Sequence, residues 1–597
     1  MRGVRARDGG GGGYGVTDLG CDPPARGANA AAGLERGVVL YNLQSRHGCS
    51  GRNLATLRLA RFRDVPAIRC LAVLATLVVF FFTTVSPSLT FADKKKEASP
   101  LARAFEGDGD IAPRGKVDRL VFGKLRHNGI TPARLCSDPV FLRRVYLDTI
   151  GTLPTVEEAR RFLTSRSAKK RRELIDELLK RDEFAEYWAM KWGDSLRVKA
   201  EFPIKLWPNA VQAYHRWIKT SIKENMPYDA FVRELLTASG SNFRRPAVNF
   251  YRSAKSREPE ALATAVALNF MGARTKDWDE ERLAGMAAFF SQVGYKRTLE
   301  WKEEIVYFDF SKPTPEQAFF PDGTPATLTP GEDPRLAFAD WLIQPSNPWF
   351  SQCIVNRVWF WLMGRGVIHE PDDVRPDNPP TNPELLEHLS QELTTSGYDL
   401  QQVFRVILNS KAYQLSSIPR TDDEDANVYF AYYTPRRLEA EVLLDALCQL
   451  TGTREEYSSP IPEPFTFIPD HQRTIALADG SITSPFLEMF GRPPRDTGMA
   501  TERNNQPSAR QRLHLLNSTH VQRKIQQSDT LKKLIAQGRN PREKITLLYL
   551  HILSRFPTDR EMRVVEKYAA SGNVSEHEAL VDCAWALINS MEFSFRH

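Results

Sequence analysis

The stretch NPWFSQCIVNRVWFWLMGRGVIHEPDDVRPDNPPTNPELLEHL (residues 347–389) holds two helices and the joint between them. Phe350, Ile354, Val358 and Leu362 recur at helical intervals, and Gly364 and Gly366, free to take positive φ, end the run. A second helix begins where Asn382 supplies a cap, Pro383 suits the first turn, and Glu384 faces the positive end of the helix dipole. Residues 369–381 therefore form a connector. Its four prolines fix φ and disfavour helix at the residues before them, so a stiff, extended loop is expected.

Outward from this joint the pattern stays helical. Val117, Leu120, Val121 and Leu125 share one face of a helix that stops at Asn128-Gly129. Another helix starts at Thr155, with Glu157 and Glu158 in its first turn, and Leu174, Ile175, Leu178 and Leu179 mark a third. YTPRRLEAEVLLDALCQLTG predicts a helix with Thr434 as cap and Pro435 as first residue. Between residues 298 and 334 the β-branched and aromatic EEIVYFDF and the Asp322-Gly323 turn predict short strands and a junction. The expected fold is mainly α, with two helical lobes joined by a short β and Pro-rich junction. The boundaries are 1–92 for a low-complexity N-terminus and signal peptide, 93–116 for a linker, 117–297 for the first helical domain, 298–334 for the junction and 335–597 for the second.

Charge argues against nucleic acid as a partner. The formal net charge of +7 comes almost entirely from residues 1–92, where 11 Arg and Lys face 5 Asp and Glu. That segment carries a basic flank, an uncharged apolar run from Cys70 to Val85, and an exit with small residues at Thr90 and Ala92. It reads as a secretory signal cut after Ala92, giving an exported protein, periplasmic or extracellular. The alternative is an uncleaved signal anchor, the sole route to a membrane, since the run falls short of the roughly 20 apolar residues of a spanning helix. After residue 92 only Cys136, Cys353, Cys448 and Cys583 remain, too dispersed for a disulfide scaffold or zinc site. Buried thiols are expected, with one long-range bridge as the alternative.

DEFAEYWAMKWGDSLR in the first half resembles the first member, and the 347–389 stretch with YQLSS, PRRLEAEVLLDAL, FGRPPRD and LHLLN the second member, of a pair of domains of unknown function. The pair is frequent in planctomycete secreted proteins, often beside cytochrome-like modules, and the resemblance spans about residues 117–595. It implies architecture and address more than a reaction. Many such relatives carry a C-x-x-C-H-like haem signature in the first domain. Here Phe270 to Gly272 and Ala287 to Phe290 supply the flanks, but the intervening ARTKDWDEER has neither cysteine nor histidine. Met499 stands where the resemblance implies a cysteine in many relatives. Covalent c-type haem needs two thiols and an imidazole close in sequence, so no haem is expected.

Candidate site residues fall into two groups. Asp372 and Asp373, with His369 nearby, sit in the stiff connector, where two acids suit a divalent cation or acid–base chemistry. Against this, adjacent residues in an extended segment point apart, leaving one aspartate to pair with arginine and the other to face water. The second group is basic: Arg357 and Arg365 near the connector, Arg436 and Arg437 in PRRLEAEV, Arg492 and Arg495 on the Pro-stiffened FGRPPRD turn, and Arg503 beside Glu502. Arginines held this way suit bidentate capture of a carboxylate, sulfate or acidic sugar, although anchoring loops is the plainer use. Arg437 and Glu441, four apart, are expected to pair on a helix surface. His388, facing Glu384, and His514 read as packing histidines. Trp188, Trp192, Trp341, Trp349, Trp359 and Trp361 are expected in cores rather than stacked on sugars.

No metal ligand set and no resident cofactor are assigned; a divalent cation belongs to the catalytic alternative. H-E-x-x-H, G-x-S-x-G, C-x-x-C and a phosphate-cradling glycine loop are all missing. The leading expectation is an exported, haem-less binding or accessory protein linked to polymer or polysaccharide processing, with envelope or extracellular proteins or acidic polysaccharide as partners. The alternatives are a hydrolase or sugar-processing enzyme using Asp372 and Asp373, then an electron-transfer accessory protein.

Overall fold

Many helix starts among the described residues are set by local chemistry. Thr155 accepts from Glu158 N at 3.2 Å while Glu158 Oε2 accepts from Thr155 N at 2.8 Å, a reciprocal cap that satisfies two otherwise orphaned donors. Asn382 Oδ1 accepts from Leu385 N at 3.1 Å, as its position before Pro383 predicts. The computed structural model describes residues 102–597, so the signal segment and the start of the linker lie outside the described residues. No helix among the described residues is long and apolar enough to cross a membrane.

The helices that position the site are α1 (Lys116–His127), α2 (Asp138–Ile150), α3 (Asp182–Ser195), α4 (Pro208–Lys223), α5 (Pro348–Met363), α6 (Pro383–Thr395) and α7 (Ala440–Thr451). Helix α3 is buried on nearly every side, from Phe184 through Trp192, and packs against α2 and α4. A helix apolar all round belongs at the centre of a core. Trp188 lies 5.1 Å from Trp361 of α5 and 4.5 Å from Phe404, ring centre to ring centre, and Trp188 and Trp192 are buried as expected, whereas Trp341, Trp349 and Trp361 are only partly buried against the core. Trp359 is wholly buried.

Strands are few. β1 (Gly240–Ser241), β3 (Glu304–Phe308) and β2 (Val293–Arg297) form an antiparallel sheet in the order β1-β3-β2, with Tyr295 opposite Val306. β4 (Arg436–Arg437) pairs with β5 (Phe595–Arg596). The junction strand is therefore present, and Gly323, at φ 85°, makes the expected turn.

Two expectations are corrected. The described residues belong to one compact unit, Lys95–His597, rather than two lobes. The reason is a set of buried arginines from α2 that reach the far end of the chain. Arg143 donates to Ile552 O (2.9 Å) and Phe593 O (2.7 Å), and Arg144 to Tyr413 O (2.6 Å) and Leu415 O (2.8 Å). Each bond ties the first half to the second through a buried charge, which tolerates no separation without desolvated loss. Second, Thr434 and Pro435 do not open a helix. Arg436 and Arg437 are drawn into the ladder with the C-terminus, and α7 starts five residues later than predicted, at Ala440. All four described cysteines are free thiols, Cys136, Cys353 and Cys583 buried and Cys448 partly so.

Candidate anion-binding cleft

The connector after α5 is braced as its prolines suggest. Asn356 of α5 clasps Ile368 with two bonds, Nδ2 to Ile368 O at 3.0 Å and Ile368 N to Oδ1 at 2.9 Å. Asp372 turns inward, 1 % exposed. Its Oδ1 accepts from Arg357 Nη2 at 2.8 Å and its Oδ2 from Ala500 N at 2.6 Å. Arg357 also donates to Asn269 O (3.0 Å) and Leu268 O (3.1 Å), so this pair binds three segments together. Asp373 points the other way, 3.3 Å from Arg375 Nε. His369 is exposed, and its carbonyl accepts from Asn378 Nδ2 at 3.0 Å. The two acids and the imidazole thus do not converge. Glycine is required nearby: Gly366 is so crowded that a Cβ would fall 2.1 Å from Ile368 O.

Beside the connector lies a cleft of about 590 Å³, lined by Lys191 and Asp194 of α3, Arg357 and Trp361 of α5, Arg436, Arg437 and Glu439 around β4, and the loop from Pro493 to Pro507 that carries Arg503. Five cationic side chains line it against two carboxylates. Behind the lining, Arg492 meets Glu441 and Arg596 meets Asp148, while Arg495 pairs with Asp194 of the lining and Asp372 with Arg357, so the surplus of positive charge remains.

The pairings explain which cations are spent on structure. Lys191 Nζ lies 2.6 Å from Glu439 Oε1, Arg596 holds the other oxygen of Glu439, and Arg596 Nη1 reaches Asp148 Oδ1 at 3.1 Å. Tyr413 and Tyr433 hydroxyls donate to Asp148 Oδ2 at 2.9 and 2.8 Å. Arg503 forks between Asp194 (2.6 Å) and Glu441 (2.6 Å). Arg495, wholly buried at φ 62°, donates to Asp194 at 2.9 Å and to Ala478 O at 2.8 Å. Its guanidinium fits only because α3 carries glycine at 193, where a Cβ would sit 3.1 Å away. Arg492 is turned onto Ile482 O and Asp479 O (3.1 Å), and Glu502 braces its loop by accepting from Asp496 N at 2.8 Å.

Arg436 Nε is buried without a partner, and so is one nitrogen of Arg437. Arg437 Nη2 donates to Phe490 O (2.6 Å) and Asn504 O (3.1 Å), but Nη1 is buried with no hydrogen-bond partner. The expected pair with Glu441 does not form, because β4 carries Arg437 away from α7 and Glu441 is claimed by Arg503 and by Arg492, 3.5 Å away. Burial lowers Arg437 to about 10 despite the nearby Glu439 and Glu441. Burial likewise brings the Lys191 ammonium down to about 8, against the pull of Glu439. Burial alone would raise Glu439, yet the charges of Arg596, Lys191 and Arg503 together hold it well below the usual carboxylate range.

Of the predicted basic residues, Arg357, Arg436, Arg437 and Arg503 line the cleft, Arg492 and Arg495 support it from behind, and Glu502 holds the loop. Arg365 stands apart, half-buried with its Nε unpartnered. Lys191, Asp194, Asp148 and Arg596 escaped sequence reasoning. A signal existed for Lys191, a lysine set between Trp188 and Trp192 on an apolar helix. His388 lies nearer Glu392, at 3.9 Å, than the expected Glu384, and His514 packs its ring on Phe486 at 5.7 Å with Nε2 unpartnered. Among the described residues no three His, Cys, Asp or Glu side chains gather as a metal-ligand set.

The cleft is thus rich in positive charge and draws its lining from both halves of the chain. Two family models match the chain, both described as proteins of unknown function: DUF1549 over residues 116–284 and DUF1553 over residues 334–569. The chain carries this pair of domains, and the cleft draws its lining from both of them. No curated protein and no solved structure matches it.

Proposed function

We propose that the protein is an exported accessory protein that binds an acidic polymer, with the carboxylate or sulfate groups of an acidic polysaccharide seated in the arginine cleft. The observation that carries this reading is the buried Arg437 Nη1 without a partner in a cleft where cations outnumber carboxylates. A buried guanidinium donor left unmade costs more than an exposed one, and a carboxylate or sulfate oxygen satisfies it with a charge-assisted hydrogen bond. Arg436 stays fixed beside it through Trp361 O (2.9 Å) and Leu362 O (2.7 Å), so the two guanidiniums are held ready before a ligand arrives. Envelope or extracellular proteins that deliver or process such a polymer are the partners this role implies.

The hydrolase alternative finds no support in the connector, where both oxygens of Asp372 are engaged and Asp373 faces Arg375. Calorimetric titration with oligogalacturonate and with a sulfated oligosaccharide tests the proposal. Saturable binding that weakens with salt and with Arg437→Ala is expected. An Arg437→Ala protein that binds both as tightly as the parent refutes it.

A further inference from the structure

A second groove, of about 410 Å³, lies between the start of α4 and the loop of residues 464–482. Its size falls within the roughly 300–1,000 Å³ of ligand sites. Phe465 and Phe467 form one wall, 48 % and 72 % exposed, far more than packing aromatics require. Trp207 abuts Phe465 at 5.5 Å and Trp301 at 6.4 Å, ring centre to ring centre, extending the aromatic surface beyond the groove. Trp207 is held at φ 77° and ψ 146°, a conformation that disfavours any side chain and persists only where the surroundings enforce it.

Polar groups also line the groove. Asn209 and Gln212 are exposed on the first turns of α4. Two further lining groups are buried and unpaired: Thr466, 7 % exposed, whose Oγ1 has no partner, and Asp479, 1 % exposed, whose Oδ2 has none. The other Asp479 oxygen accepts from Ala200 N (2.9 Å) and Ser481 N (2.8 Å), which fixes the carboxylate in place. Buried polar atoms are seldom left without a partner, so these two mark where ligand hydroxyls belong.

We propose that this groove is a carbohydrate subsite for a neutral pyranose. The C–H face of the sugar lies on Phe465 and Phe467, whose ring faces are electron-rich, and its hydroxyls reach Asp479 Oδ2, Thr466 Oγ1 and the two amides. A carboxylate in the lining favours hydroxyl donors over acidic sugars, which separates this groove from the arginine cleft. The amide-bearing lining also distinguishes it from a membrane-inserting tip.

The test is calorimetry of the full chain against neutral hexasaccharides of glucose, mannose and xylose, with vesicle flotation in parallel. At least one hexasaccharide should bind, Phe465→Ala combined with Phe467→Ala should weaken it at least about tenfold, and Thr466→Val several-fold. Arg437→Ala should leave it unchanged, which keeps failure here distinct from failure of the acidic-polymer reading. Both phenylalanines are exposed, so the double variant should retain the parent melting temperature. The proposal is overturned if none of the hexasaccharides binds, if the double variant binds as the parent does, or if the two phenylalanines instead govern vesicle binding.

Discussion

The connector and the cleft use the same chemistry to different ends. In the connector, Arg357 meets Asp372 and two backbone carbonyls, and Asp372 meets Arg357 and a backbone amide, so each polar group is matched. In the cleft a few ångströms of chain away, guanidiniums outnumber carboxylates and one buried donor of Arg437 has no acceptor. Saturation makes a brace, because the matched pair loses energy in any other arrangement. A surplus leaves donors that the proposed anionic ligand would satisfy.

The sharpest way to break this contrast is to unbalance the matched charges. Glu439→Ala strands Lys191 and Arg596 in the interior and should cost about 3–5 kcal/mol in denaturant unfolding. A loss below about 1 kcal/mol would mean that the network is solvated and the saturation argument fails. In the connector, Asp372→Asn keeps one hydrogen-bonding oxygen but removes the ion pair with Arg357, and should cost about 2 kcal/mol. Asp373→Asn should change stability by less than about 1 kcal/mol, because its pair with Arg375 is partly solvated. Loss of acidic-ligand binding in a well-folded Asp373→Asn protein would move the site into the connector.

For the cleft, Arg437→Ala should weaken an acidic ligand by about 10- to 100-fold, the worth of a charged hydrogen bond of about 1.5–3 kcal/mol. pH gives a smaller effect with a defined sign. Lys191 is charged below its folded value of about 8, so affinity for an anion should fall as pH rises through that value, and Lys191→Met should flatten the profile. The acid limb runs oppositely. Glu439 is depressed, so its contribution to stability is present above the ordinary glutamate range and is lost as pH falls toward its folded value. Smallest of all, Arg161→Ala, which removes an exposed pair with Glu177 at 3.2 Å, should leave Tm unchanged within error.

Legibility in the sequence followed the range of the forces. The cap of α6 at Asn382 and the stop of α5 at Gly364 depend on neighbours within a turn or two, and each appears where the residues place it. The start of α7 was misread for the same reason reversed. Thr434-Pro435 is a good local helix start, but pairing with Phe595 and Arg596 at the chain's end outweighs it. Arg437 was recognised as a candidate, yet its assigned partner was wrong, since proximity along a helix said nothing about Arg503 approaching from the loop.

By itself the sequence determined a mainly helical chain, the positions of its caps and turns, the pair of domains and the roster of arginines, because these rest on backbone preferences and on short motifs. Only the tertiary structure decided that the two halves form one unit and which arginine donors remain unmatched. Lys191 and Glu439 stand 248 residues apart, Arg503 and Asp194 309, and Tyr187 and Arg596 409. Charges meet across such distances only after packing has excluded water and fixed the helices, and the competition for each carboxylate is settled there.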